Sequence, residues 1–444
     1  MRIALVNPAW SFEGSIYFGC REPHLPLEYG YARSLLESDG HVVAILDAHN
    51  QRWDRAELAE SVAAFQPQLV AVTTAPTYLF WRCPPPELRV PREVIRDLTR
   101  VRGSRGGMSI VAVGPHASTT PRSTLRKLDA DAAVLGECEE VLRDLARTPR
   151  SDWGQVASLA RLNAAGEVEV TGGARSSDLA ALPALRWRPD ELRGHDHHHH
   201  RFDAAPDGPG AEMETSRGCP YRCTFCAKET HRDRYRKRPL ATVLAELDGL
   251  IAAGARYVYF IDEIFLPDMP LLAALAERRI AFGVQTRIDL WSFEQLDALG
   301  TAGCVSIEAG VESITVEGRA QLDKKCRLST DDLTARLSHA KRSVPFVQAT
   351  LMESRCDDPE AVAVWRRELR AAGVWANEPV PLFPYPGSPD YTRLWGAPDD
   401  QAWERAHEHY LRQFTAFSDV QEQRPVRLPV LEEEATTNPR VDEP

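Results

Sequence analysis

The chain is expected to fold as two α/β units, a doubly wound Rossmann-like parallel sheet followed by six further β/α repeats. Three observations predict this. Short apolar runs alternate with helix-compatible stretches over residues 1–150, the same alternation resumes over residues 211–390, and a Pro/Gly-rich run at 204–210 stands between them. At 444 residues the chain is also too long for one hydrophobic core.

In the first unit the strands are read at Ile3–Val6, Val42–Leu46, Leu69–Val72, Ile110–Val113 and Ala132–Leu135. Continuous apolar runs of this length, bounded by turn residues, suit parallel strands buried on both faces. Helical spacing falls between them at Tyr29–Ser38, Ala56–Phe65, Arg92–Arg100 and Thr119–Lys127. Ligands of such sheets lie beyond the carboxyl ends of the strands. The loops there are Asn7-Pro8-Ala9-Trp10, Thr73-Thr74-Ala75-Pro76-Thr77, Gly114-Pro115-His116-Ala117 and Gly136-Glu137-Cys138-Glu139. Their small residues would let a large flat ligand approach the backbone. The absence of G-x-G-x-x-G after the first strand argues against a dinucleotide.

Residues 151–210 read as a connection, with weak strand signals at Leu159–Leu162 and Val168–Val170. It holds the histidine tract His195-Asp196-His197-His198-His199-His200, either a plain loop or a metal- or substrate-facing cluster. The second unit follows, with strands at Met213–Ser216, Tyr257–Ile261, Ala281–Val284, Cys304–Ile307, Phe346–Leu351 and Val374–Leu382. Residues 391–444 read as a helical extension, with Trp403, His407, His409 and Tyr410 on a candidate lid, and a Pro- and Glu-rich end that reads as disordered after Gln421.

The chemistry is concentrated after the first strand of the second unit, where Cys219-Pro-Tyr-Arg-Cys223-Thr-Phe-Cys226 places three thiols in eight residues. A closed [4Fe–4S] site takes four cysteine thiolates, so three would leave one iron open to a small molecule. A structural zinc site needs a fourth ligand, for which His231 is the near candidate. Cys20, Cys83, Cys138, Cys304, Cys326 and Cys356 are scattered singly and read as small buried or semi-buried residues, not ligands and not a secreted disulfide framework.

The C-x3-C-x2-C spacing, with Phe225 just before the last cysteine, resembles the radical SAM superfamily. The resemblance implies a partial (β/α)6 barrel whose open iron chelates S-adenosylmethionine and cleaves it to a 5′-deoxyadenosyl radical. It assigns Cys219, Cys223 and Cys226 to the cluster. Asp262-Glu263 would contact the methionyl amino group, although the family's glycines are missing from that turn. Glu308 would hold the ribose hydroxyls, Arg287 would pair with the carboxylate through a bidentate contact, and Phe225 would pack near the adenine. Gln285 and Gln348 complete the implied nucleotide set. Phe383-Pro-Tyr-Pro-Gly-Ser-Pro389 resembles the turn that ends such a core.

Placed before that core, the first unit resembles the cobalamin-binding domain of B12-dependent radical SAM enzymes. The implied cobalamin contacts are Asn7, Pro8, Trp10, Thr73, Thr74, Thr77, Gly114, Pro115, His116, Gly136 and Glu137. Asp47-Ala48-His49 resembles the D-x-H-x-x-G motif of other cobalamin proteins, but it follows the second strand and position 52 is Arg, so His49 reads as a strand-end residue. His24 and His116 are weaker cobalt-ligand candidates. The implied activity is C-methylation of an unactivated carbon in a small molecule, a sugar among the candidates. A flavodoxin- or ferredoxin-type electron donor is the implied partner. The same cofactors would also serve a rearrangement, cyclisation or oxidation, and a non-catalytic binding protein is a further alternative. A methylthiotransferase is disfavoured because Cys20, Cys83 and Cys138 lie too far apart to hold a second cluster.

A formal charge of −11 argues against a nucleic-acid surface, and the local basic run Arg232 to Arg238 reads as a solvated loop. No apolar run is long enough to span a membrane, and Met1 to Pro8 reads as a buried strand instead of a signal peptide. A low-potential cluster needs a reducing compartment, which the cytoplasm supplies.

Overall fold

The computed structural model describes residues 1–16, 22–77, 83–105, 107–163, 165–195, 207–228, 234–414 and 424–433. Cys20, the aromatic run Tyr78, Phe80 and Trp81, His231, Arg232 and five of the six residues of the histidine tract lie outside them.

The strands in chain order are β1 (Arg2–Asn7), β2 (Val42–Asp47), β3 (Leu69–Thr73), β4 (Ser109–Val113), β5 (Ala132–Val134), β6 (Leu159–Leu162) and β7 (Val168–Thr171). Then come β8 (Gly210–Met213), β9 (Ser216–Arg217), β10 (Arg236–Lys237), β11 (Tyr257–Phe260), β12 (Ala281–Thr286), β13 (Cys304–Glu312), β14 (Phe346–Leu351) and β15 (Trp375–Ala376). The first seven form one sheet in the order β2-β1-β3-β4-β5-β6-β7. Pairing is parallel as far as β5 and antiparallel for β6 and β7. The two weak strand signals of the connecting stretch thus extend the first sheet.

Alternate residues explain why these strands are apolar throughout. Ile3, Leu5, Leu69 and Ala71 face one core, while Ala4, Val6, Val70 and Val72 face the other. Between strands, the helix Arg55–Phe65 starts at a capping box of Asp54 with Glu57.

The second sheet has six parallel strands in the order β8-β11-β12-β13-β14-β15. It keeps chain order, as repeated right-handed β/α crossovers require. Its ends differ from expectation. The first strand is Gly210–Met213, and Ser216–Arg217 instead pairs antiparallel with Arg236–Lys237. The last strand shrinks to two residues plus a bridge from Val380 to Met352, because Pro379 and Pro381 cannot donate to a ladder.

The core face of the first sheet that carries Ile3 and Leu5 is continuous with the interior of the second unit. A separate cluster of Ile16, Phe383, Tyr391, Trp403, Tyr410, Phe414 and Leu428 ties the chain's end to both units. Within the segment read as disordered after Gln421, residues 424–433 therefore depart from that expectation, and the rest lies outside the described residues. Leu428–Glu433 is a helix, held by burial of Leu428 and Leu431, by Val426 N–H to Gly14 O and by Lys127 to Glu432.

Candidate active site

The three thiols sit on the loop that leaves β9. Gly218 turns it with φ of +79°, a conformation glycine adopts without steric cost, and its N–H donates to Glu263 Oε2 at 2.8 Å. Cys226 N–H closes a turn onto Cys223 O at 3.2 Å, and Lys228 Nζ donates to the carbonyls of Cys219 and Tyr221. Cys223 is buried, while Cys219 and Cys226 are half-buried. Burial pushes the Cys223 thiol up, against the pull of Lys324 and Arg287. Among the described residues no three His, Cys, Asp or Glu side chains already stand gathered as a metal site. The loop carries the donors without converging them.

Around the loop lie the carboxyl ends of the second sheet. Gln285, Glu308 and Gln348 are direct cross-strand partners on β12, β13 and β14, which makes one polar row across the sheet. Among the described residues neither Gln348 Oε1 nor Arg287 Nη1, both buried, has a hydrogen-bond partner. Such orphaned groups are costly in a dry interior, and a polar ligand would satisfy them. Arg287 uses Nε and Nη2 on Asp289, at 3.1 and 2.7 Å, and its guanidinium stacks 4.0 Å from the Tyr221 ring. The bidentate carboxylate contact expected of it is therefore already taken within the protein.

The Asp262-Glu263 pair also works inward. Asp262 accepts from Thr215 N–H at 2.7 Å and from the hydroxyls of Thr215 and Ser216, and burial pushes its carboxyl up to about 6. With Glu263 on Gly218, the two carboxylates brace the approach to the cysteine loop. Phe225 is half-buried on that loop.

A buried ion pair joins Lys324 to Glu312 at the far end of β13. Asp323, Lys325 and Glu312 all hold positive φ, near +49°, +59° and +63°. Left-handed conformations at residues other than glycine cost energy and cluster at functional sites. Gly310 makes room for this pair, since a Cβ there would lie 2.7 Å from Glu312 Oε1.

In the first unit, Asn7, Trp10, Phe12, Glu22, His24, His49, Pro76 and Thr77 line a recess at the carboxyl ends of β1 and β3. The strand order reverses between those two strands, which is where ligands of open α/β sheets bind. Trp10 and Phe12 lie parallel, with ring centroids 6.2 Å apart. Trp10 is fixed by Nε1 to Asn7 Oδ1 at 2.9 Å and by its backbone N–H to His49 Nδ1 at 3.0 Å. Pro8 is buried beside them.

Other predicted contacts are occupied by the protein itself. Thr73 Oγ1 donates to Ala75 O at 2.6 Å. The ring nitrogens of His116 lie 3.2 Å from Thr74 Oγ1 and 2.9 Å from Pro85 O, and burial pulls its pKa down to about 3. Trp403 covers that ring at a centroid distance of 4.7 Å. Gly114, ahead of Pro115, makes room for Thr74, and Gly136 for the Arg175 backbone. These glycines are thus explained by close packing of the chain on itself.

Between the two loop sets lies a network of ions with no solvent exposure. Arg217 Nη1 reaches Glu137 Oε2 at 2.9 Å and Glu139 Oε1 at 2.8 Å, while Nη2 reaches Glu214 Oε1 at 2.7 Å. Arg236 joins Glu137, and Ser177 donates to Glu137 through N–H and to Glu139 through Oγ. Of the basic run read as a solvated loop, Arg234 and Lys237 are exposed, but Arg236 is counter-charge for the buried Glu137 and Arg238 for the buried Glu246 at 2.7 Å.

Residues 213–357 match the Radical SAM superfamily, and residues 21–146 match the B12 binding domain. The chain carries a radical SAM domain behind a B12-binding domain. Among curated relatives, an uncharacterized methyltransferase of Pyrococcus horikoshii is 22% identical over 70% of this chain and 66% of its own length. The anaerobic magnesium-protoporphyrin IX monomethyl ester cyclase of Cereibacter sphaeroides is 24% identical over 70% of this chain and 50% of its own. The chain thus spans between half and two thirds of these relatives. Among solved structures, the radical S-adenosylmethionine methyltransferase TsrM from Kitasatospora setae, with cobalamin and a [4Fe–4S] cluster, has a TM-score of 0.67 at 21% identity. That alignment covers 88% of this chain and 76% of TsrM. The cobalamin-dependent enzyme OxsB has a TM-score of 0.63 at 18% identity, covering 83% of this chain and 52% of OxsB. The fold is shared with both.

A radical SAM domain uses a [4Fe–4S] cluster with S-adenosylmethionine, and a B12-binding domain uses cobalamin. The donor set of three thiols, with the orphaned Arg287 atom against its loop through Tyr221 and the orphaned Gln348 atom on the polar row of the sheet, fits the first pair. The flat aromatic pair at the strand-order reversal fits the second. Sequence reading missed Arg217, Glu139 and Glu214 as a junction, and it missed Glu28. The signal was present in Glu212-Met213-Glu214, acids set within a buried strand segment.

Proposed function

We propose that the protein is a cobalamin-dependent radical SAM C-methyltransferase acting on a small molecule. The observation that carries this reading is the junction itself. Glu137, one residue past the Gly136 turn of the B12-binding domain, is ion-paired to Arg217, two residues before Cys219 of the radical SAM domain. Methyl transfer to carbon needs two cofactors that face one reaction space, and a dry ionic joint between their loops keeps them in register.

When bound, the cluster with S-adenosylmethionine supplies one-electron reductive chemistry, and cobalamin supplies a transferable methyl group. Cys219, Cys223 and Cys226 hold the cluster. Gln285, Glu308 and Gln348 present a polar row to the nucleotide, and Arg287 Nη1 offers one charged donor to its carboxylate. Trp10, Asn7, Thr77 and the neighbouring backbone border the cobalamin site. The continuous apolar core behind both loops excludes water, which strengthens each polar contact and protects reactive species.

Tryptophan is bound as substrate in a TsrM structure, so an indole-bearing amino acid is the first probe. Reconstituted protein, a low-potential ferredoxin or flavodoxin donor and S-adenosylmethionine with a deuterated methyl group should yield a product that carries the intact labelled methyl on carbon. A cyclase among the relatives favours a second reading in which bonds rearrange without methyl transfer. A new product that lacks the label, whether isomeric with the substrate or changed in mass, would establish that reading instead.

A further inference from the structure

Arg217 joins the loop after β5 to the cysteine loop by ionic contacts, and Arg217, Glu137, Glu139 and Glu214 each have 0% exposed side chain. On one side Gly136 N–H is held by Ser118 Oγ at 2.7 Å, and Glu137 and Glu139 follow it. On the other side Arg217 leads through Gly218, itself pinned by Glu263, into Cys219. Two guanidinium groups, Arg217 and Arg236, meet three carboxylates, Glu137, Glu139 and Glu214. Arg236 keeps partial exposure, but Arg217 and the three carboxylates have no water to rearrange around them and must move together, since a pair broken in the interior leaves an uncompensated charge. A displacement of either loop is therefore transmitted to the other.

We propose that Arg217 is a positioning residue that couples the two cofactor sites, so that filling the cluster loop tightens binding of cobalamin in the neighbouring domain. The proposal rests on the two-cofactor reading above. Coupling between sites is reciprocal, so cobalamin tightens retention of the cluster by the same factor.

Titration of the full chain with hydroxocobalamin, followed by its visible spectrum, tests this in iron-free and cluster-reconstituted protein. Wild-type protein should bind about 5-fold or more tightly when the cluster is present. In Arg217→Lys, which keeps the charge and loses the fork, the ratio should fall to about 1. Glu139→Gln, nearly isosteric, should reduce the ratio as well and carries the test if the lysine variant does not fold. A merely structural role would lower the melting temperature of these variants and leave the ratio intact. A wild-type ratio of about 1, or variants that keep the wild-type ratio, would overturn the proposal while the cofactor assignment stands. Wild-type protein that binds hydroxocobalamin in neither state would overturn both.

Discussion

Arg217 and Glu137 stand 2.9 Å apart with neither side chain reached by solvent, one from each domain. Arg217→Met would leave Glu137, Glu139 and Glu214 facing each other with Arg236 as the remaining guanidinium partner. Removal of one member of a buried ion pair costs about 3–5 kcal/mol. Thermal unfolding should show a clear loss of stability for this variant, larger than for Arg188→Met, whose ion pairs are exposed.

Glu28 lies wholly buried, with Oε2 accepting from Thr77 Oγ1 at 3.0 Å and Oε1 unpaired. Burial pushes its carboxyl up to about 8 from an ordinary 4.5. Between those values the folded protein keeps a proton that the unfolded chain has lost. This contribution to stability is full below pH 4.5 and is lost as pH rises through 8, with a slope of up to about 1.4 kcal/mol per pH unit. Glu28→Gln should gain stability relative to wild type as pH rises across this window, as read from melting temperatures at successive pH values.

Both ring nitrogens of His116 already have protein partners, Thr74 Oγ1 and Pro85 O, and we propose on that ground that the ring is not a cobalt ligand. Bound cob(II)alamin should therefore show no superhyperfine splitting from a His116 nitrogen by electron paramagnetic resonance. His116→Gln should leave that spectrum unchanged. A change in the splitting would show that the ring leaves Thr74 and Pro85 for the metal.

Gly136 has φ of +85°, and a Cβ there would sit 2.2 Å from Arg175 O and 2.3 Å from Arg175 N. Gly166 has a similar φ of +76°, and among the described residues nothing lies within 4 Å of a Cβ placed there. Both alanine variants carry the backbone penalty of about 1 kcal/mol, but only Gly136→Ala adds a clash with main chain, at about 1–3 kcal/mol more. The difference between their melting temperatures isolates the packing of Arg175 against the loop that bears Glu137.

Periodicity made the sheets legible. Apolar runs such as Leu69–Val72 and Tyr257–Ile261 are buried on both faces, so a one-dimensional pattern carries their structure. The cysteine spacing was legible for a related reason, since ligands of one cluster must share a short loop. What the sequence hid was pairing at a distance. Arg236 and Arg238 resemble any surface basic run until Glu137, 99 positions away, and Glu246 are brought to them by the fold. Asp262 and Arg287 were placed at the correct strand ends, yet their partners Thr215, Ser216 and Asp289 turn them toward the protein. Leu428 gave no sign of order in the sequence, because the surface that buries it comes from residues as distant as Ile16 and Tyr410.

The claim that the Cys219–Cys226 loop presents an open iron to S-adenosylmethionine is tested most directly by electron paramagnetic resonance of the reduced, reconstituted protein. The wild-type [4Fe–4S]+ signal should shift when S-adenosylmethionine is added, and the Cys219→Ala/Cys223→Ala/Cys226→Ala variant should give no such signal. A wild-type signal indifferent to S-adenosylmethionine, or a full signal from the triple variant, would contradict the account.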